Sequence, residues 1–220
     1  MKFILGISIS LWIISFGLGQ TIYVDADTDC FYIPKKVRAT NKKVPALLYL
    51  SCTGAIKSDL DSLKFVGDSF GIIVFSCHRS RNHRNVMQND IDIINTYDKA
   101  IKKYPIDTTK VFIYGFSGQG VQAMLEMFLH PTKFRGIHTV CAHSGAMPFA
   151  KWSTLKNHLA YLVSRKKDWN LQHNYQIDQL FKTNGIKDTL VITEGEHSIG
   201  DKFEIFQAVK WLVKKANNRQ

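Results

Sequence analysis

Four cysteines, none of them in a C-x-x-C pair, leave this 220-residue chain without the ligand spacing of a structural zinc site. Neither a repeat nor a low-complexity tract interrupts it, which excludes a solenoid or a string of small modules. Recognisable nucleic-acid motifs are missing too. Acidic residues are scarce, 18 against 29 Lys and Arg, so the formal charge is +11. Such a balance favours anionic surfaces or polymers. The cations, however, are scattered in short pairs and triplets such as Lys42-Lys43, Lys102-Lys103 and Arg165-Lys166-Lys167, which read as solvated faces rather than a groove, and no nucleic-acid partner is expected. Hydrophobic content of 45% and charged content of 21% are those of an ordinary globular protein. The length suits one domain with a sizeable core.

The only long apolar run lies at the N-terminus. Lys2 precedes Phe3 to Phe16, and Gly17-Leu18-Gly19 supplies small residues for cleavage after Gly19. The run is short for a membrane span. Residues 1–19 are therefore expected to be a signal peptide, with an uncleaved anchor as the alternative, and 20–220 a single domain. Removing Lys2 takes the charge from +11 to +10. A secreted or periplasmic location follows, with no stable membrane insertion once the signal is gone. An exported chain permits disulfides. Cys30, Cys52, Cys77 and Cys141 leave the pairing open: Cys52 and Cys77 each follow an expected strand and can either bridge or serve as small buried thiols.

From Thr21 to Pro34 the sequence suggests a leading hairpin turning at Asp27-Thr28-Asp29. Thereafter strands and helices alternate. Expected strands are Val44 to Ser51, Ile72 to Ser76, Lys110 to Phe116, Gly136 to Ala142, Leu159 to Ser164 and Thr189 to Thr193. Expected helices are Ile56 to Phe70, Asn89 to Tyr104, Gly118 to His130, Tyr175 to Asn184 and Asp201 to Ala216. That rhythm argues a mostly parallel sheet covered on both faces, and in such sheets ligands gather at the carboxyl ends of the strands.

One stretch organises the rest. Val111 to Phe116 runs straight into Ser117-Gly118-Gln119-Gly120 and a helix-compatible segment. A strand breaking sharply into a helix lifts the serine hydroxyl off the sheet edge and aims free helix N–H groups at whatever bonds to it. Gly115 and Ser117 fit the G-x-S-x-G pattern. Gln119 stands where its second glycine belongs, so its side chain is expected to point outward.

A serine hydroxyl needs a base, and the base an orienting acid. His197, in the loop between the last strand and the last helix, is the expected base. His143 also ends a strand, but it lies between the serine and the acid candidate in the chain and is expected to line the site or support the fold. Asp168, after the strand Leu159 to Ser164, is the expected acid. The order Ser117, Asp168, His197 is that of α/β-hydrolases. On Gly115-Phe116-Ser117-Gly118 and the two loops, residues 40–216 resemble small α/β-hydrolases of the dienelactone hydrolase, feruloyl esterase and polyhydroxybutyrate depolymerase kind.

The resemblance implies an oxyanion hole of two backbone N–H groups, from Gly118 and from Cys52 or Thr53 in the loop after the first long strand. The usual His-Gly start of that loop is replaced by Ser51-Cys52-Thr53-Gly54. A minimal lid or none is expected, and neither metal nor cofactor is required. Arg79, Arg81 and Arg84 in the loop from His78 are candidates to hold a substrate carboxylate or phosphate, or simply solubilise it. Trp152, Trp169 and Met147 are candidate apolar walls. The expected activity is hydrolysis of carboxylic esters, small or polymeric. An inactive binding protein and a peptidase or acyltransferase with the same triad are the alternatives. The oligomeric state is not legible.

Overall fold

The computed structural model describes residues 22–25, 28–40 and 42–218; the expected signal peptide, 1–19, lies outside them. Strands β1 (Ile22–Val24) and β2 (Cys30–Tyr32) form the leading antiparallel hairpin. After a short helix α1 (Lys35–Arg38), which the sequence did not suggest, come β3 (Val44–Tyr49), α2 (Lys57–Phe70), β4 (Ile73–Ser76), α3 (Val86–Lys103), β5 (Ile106–Phe116) and α4 (Ser117–Leu129). Then follow β6 (Gly136–Val140), β7 (Leu159–Arg165), α5 (Leu171–Thr183), β8 (Lys187–Thr193) and α6 (Lys202–Asn217). One sheet of eight strands holds them in the order β1-β2-β4-β3-β5-β6-β7-β8, parallel from β4 to β8.

The inner parallel strands β3 and β4 and the second half of β5 are apolar runs because both of their faces are covered. Alternation divides their side chains. Leu48, Phe75 and Ile113 enter the core shared with Tyr97 of α3, Met124 of α4 and Phe181 of α5. Leu47, Val74 and Phe112 face Leu60 and Leu63 of α2 and Val209 and Leu212 of α6. Full burial of each such side chain is worth roughly 1.5–3 kcal/mol before entropy is subtracted. The helices stop where their residues dictate. Gly71 takes φ +63° to end α2, and Gly185, at φ +79°, follows α5.

Some expected bounds and partners change, and one open alternative closes. α3 begins at Val86, three residues before the expected start, because Asn85 caps it by accepting from the Met87 and Gln88 N–H groups. All four cysteines are free thiols, so Cys52 and Cys77 do not bridge. Arg165, taken from its basic neighbours as solvated, is 3% exposed. It pairs with Glu204 at 2.9 Å and donates to Thr193 Oγ1 and the Ser198 carbonyl, which fastens the loop after β8 to the end of β7. The segment joining β6 to β7 contains just two 3-10 turns, Ser144–Phe149 and Trp152–Thr154. Among the described residues no helix is long and apolar enough to cross a membrane.

Candidate active site

Ser117 sits where β5 turns into α4, with φ +53°. That left-handed conformation is costly for a residue with a Cβ. The turn is tight enough that a Cβ on Gly115 would fall 2.0 Å from the Gln119 carbonyl oxygen, and one on Gly118 2.6 Å from Asn82 Oδ1. Glycine is therefore required at 115 by the approach of backbone to backbone.

Gln119 does not point outward. It is 1% exposed and folds under the loop that follows β4, accepting from Ser80 Oγ at 2.6 Å while its Nε2 lies 3.5 Å from Asn82 Oδ1. The residue that breaks the glycine pattern is thus the peg between the elbow and that loop.

His197 and Asp168 meet the serine from loops at the carboxyl ends of β8 and β7. His197 Nε2 is 2.9 Å from Ser117 Oγ, and Nδ1 is 2.8 Å from Asp168 Oδ1. The Asp168 carboxylate, fully buried, also accepts from the Asn170 N–H at 2.9 Å and from Ser164 Oγ at 2.9 Å. Burial alone would raise its pKa; the bonds from Asn170, His197, Cys141 and Ser164 outweigh that and hold it below the usual carboxylate value. Asp168 is therefore an anion at neutral pH, and the chain of bonds assigns the proton to His197 Nδ1 and the lone pair at Nε2 to the serine. The Trp169 indole stacks on the imidazole at 3.8 Å and 18°, and the Phe116 ring lies 4.9 Å from it on tilted planes. These rings restrict how the imidazole can tilt.

Ser117 opens into a cavity of about 480 Å³. Gly118, Arg81, His143 and Trp169 line it, whereas Cys52 and Thr53 do not. Cys52 reaches the elbow through its thiol, 3.3 Å from the Phe116 carbonyl, and its own carbonyl accepts from the Asn82 N–H. Thr53 is exposed on the same loop. His143 accepts from the Gly145 N–H at 3.1 Å; partial burial, then the nearby His173, lower its pKa.

Arg79 is not at this site. It lines another cavity with Asp29, Cys77 and Asp92, and approaches Asp92 at 3.9 Å. Arg84, 2.5 Å from the same Asp92, lines the cavity beside Ser117 with its charge already matched. Trp152 packs on Phe128 and Phe181, and Met147 against the same core, so neither forms a wall. Asn82, Asn170 and Arg165 also support the site, through the Cys52, Cys141 and Ser198 carbonyls; a polar residue in a loop carries no sequence signal of which backbone group it will hold.

A mostly parallel eight-stranded sheet of this order, with the serine turn after β5 and the two partner loops after β7 and β8, is the α/β-hydrolase fold. Solved structures of that fold superpose on nearly the whole chain. A ferulic acid esterase matches with a TM-score of 0.69 at 14% identity, over 89% of this chain and 96% of its own. FphF, a fluorophosphonate-binding serine hydrolase of Staphylococcus aureus, matches at 0.67 and 14%, over 88% and 96%. The Bacillus cereus carboxylesterase matches at 0.64 and 17%, over 86% and 94%. No protein-family model matches the sequence, and no curated protein does.

Proposed function

We propose that the protein is a serine hydrolase that cleaves carboxylic esters through an acyl-enzyme, exported by way of residues 1–19. The observation that carries this is the unbroken chain Ser117 Oγ, His197 Nε2, His197 Nδ1, Asp168 Oδ1 at 2.9 and 2.8 Å. Ser117 Oγ attacks the ester carbonyl as His197 Nε2 takes its proton, and Asp168 stabilises the imidazolium. The tetrahedral oxyanion is held by the Gly118 N–H, one of the groups at the start of α4 that have no partner within the helix; neither Cys52 nor Thr53 lines the cavity, so no second donor is assigned there. Collapse expels the alcohol, which takes the proton back from His197. Water activated by the same imidazole then frees the acid. No step calls for a metal or cofactor. Neighbours of this fold bear the names of esterases and serine hydrolases, which favours the same reaction class here.

Trp169 and His143 would form walls for the substrate. Arg81, exposed at the cavity rim, is the cation there without a carboxylate partner among the described residues, and would favour an ester bearing an anionic group. Open access without a lid suits small soluble esters or exposed polymer ends. A panel of p-nitrophenyl esters of graded chain length, with and without a terminal carboxylate, tests this on wild type and Ser117→Ala. Turnover in wild type and a fall of about 10⁴-fold or more in the variant are expected; equal background rates in both would overturn the reading. A matched amide and an added acceptor alcohol, with product analysis, separate ester hydrolysis from peptidase and acyltransferase activity.

A further inference from the structure

Toward the C-terminal end of α4, far along the helix from Ser117, lies a second group of titratable side chains with no part in the chemistry above. Glu126 and His130 stand four residues apart and so share one face at the end of α4; Asp90 of α3 faces them. His130 Nε2 is 2.6 Å from Asp90 Oδ1 and 4.0 Å from Glu126 Oε2. One ligand atom from each of the three lies within 4.8 Å of the others.

Glu126 is fully buried. Its Oε1 accepts from Gln122 Nε2 at 2.7 Å, while Oε2 has no hydrogen-bond donor. Two facing carboxylates, one of them fully buried, are costly unless something positive lies between them.

We propose that Asp90, Glu126 and His130 form a divalent-cation site, with Zn²⁺ as its best-matched occupant, tying α3 to the helix that begins with the nucleophile. Zn²⁺ takes imidazole nitrogen at about 2.0–2.1 Å and carboxylate oxygen at about 2.0–2.2 Å, so tetrahedral ligands stand roughly 3.4 Å apart. The present separations of 2.6 and 4.0 Å straddle that value, and the three ligand atoms all lie within 4.8 Å of one another. His130 is 26% exposed, which opens a way in and leaves room for water as fourth ligand. Gln122 already fixes the outer oxygen of Glu126 in the manner of an outer-shell partner. Mg²⁺, which demands six oxygens, fits poorly. The i, i+4 pair was present in the sequence, but its third ligand comes from a different helix, 36 positions before Glu126 by subtraction of their numbers.

Chelator-stripped full-length protein titrated with ZnCl₂, by calorimetry and thermal unfolding, tests this. One equivalent should bind, and Zn²⁺ at 100-fold its Kd should raise the midpoint by about 5 °C or more. Glu126→Gln keeps the shape and the Gln122 bond, and His130→Asn lies near the surface, so both should fold, with unfolding curves as the control. Each should lose at least about 10-fold in affinity, and MgCl₂ should give no shift. Absence of Zn²⁺ uptake by wild type would overturn the proposal. So would undiminished affinity in both variants, which would put the ion elsewhere, for example at Cys141, Asp168 and His197.

Discussion

Ser117 occupies a backbone conformation that costs energy, and its hydroxyl meets the His197 imidazole, which is bonded in turn to the Asp168 carboxylate. The strain is held by what surrounds it, chiefly Gly115 packed on the Gln119 carbonyl. Asp168 contributes through orientation as much as through charge. An Asn at 168 would present an N–H to His197 Nδ1, which leaves the proton on Nε2, the wrong side for a base. Asp168→Asn is therefore expected to lower kcat by roughly 10⁴-fold with little change in KM, measured on whichever p-nitrophenyl ester wild type turns over best. The chain position of all three residues was legible because each follows a strand in a parallel sheet, where loops converge. The direction of Gln119 was not. An amide is expected outside unless a partner waits inside, and that partner, Ser80, comes from a loop 39 residues away.

Among the elements, the loop between β4 and α3 is the part least readable beforehand. Its three arginines looked equivalent. Asp92 on α3 separates them, since Arg79 and Arg84 turn to it while Arg81 is held by its backbone, N–H to Asn89 Oδ1 and carbonyl to Asn89 Nδ2. Side-chain pairing across 8 to 13 residues of loop and helix has no period to betray it, whereas the strands announced themselves by unbroken apolar runs. Gln119→Ala should leave the buried Ser80 hydroxyl without its acceptor and free the loop. A loss of about 1–3 kcal/mol in urea unfolding is expected, together with a rise in KM because Asn82 is no longer held against the elbow. A variant as stable as wild type would show that the peg does not matter.

For the whole molecule, a histidine buried in the sheet contributes to its response to acid. His138 on β6 is 0% exposed, between Tyr114 and Tyr161, with Nδ1–H donating to the Tyr161 carbonyl and Nε2 unpartnered. Burial, against the Tyr161 bond and with Arg165 nearby, lowers its pKa from 6.5 to about 4. The unfolded chain then takes up a proton that the folded one refuses. Stability should be undiminished by this group above about 6.5 and should fall as pH drops from there through about 4. Chemical denaturation across that window should show a shallower slope for His138→Phe than for wild type.

The central claim is that Ser117 is made nucleophilic by His197 and Asp168, and peptide mapping after reaction with a fluorophosphonate probe tests it most directly. A single adduct on Ser117 is expected in wild type, strongly slowed in His197→Ala and absent in Ser117→Ala. Folded wild-type protein that stays unmodified, or that carries the adduct on another residue, would contradict the account.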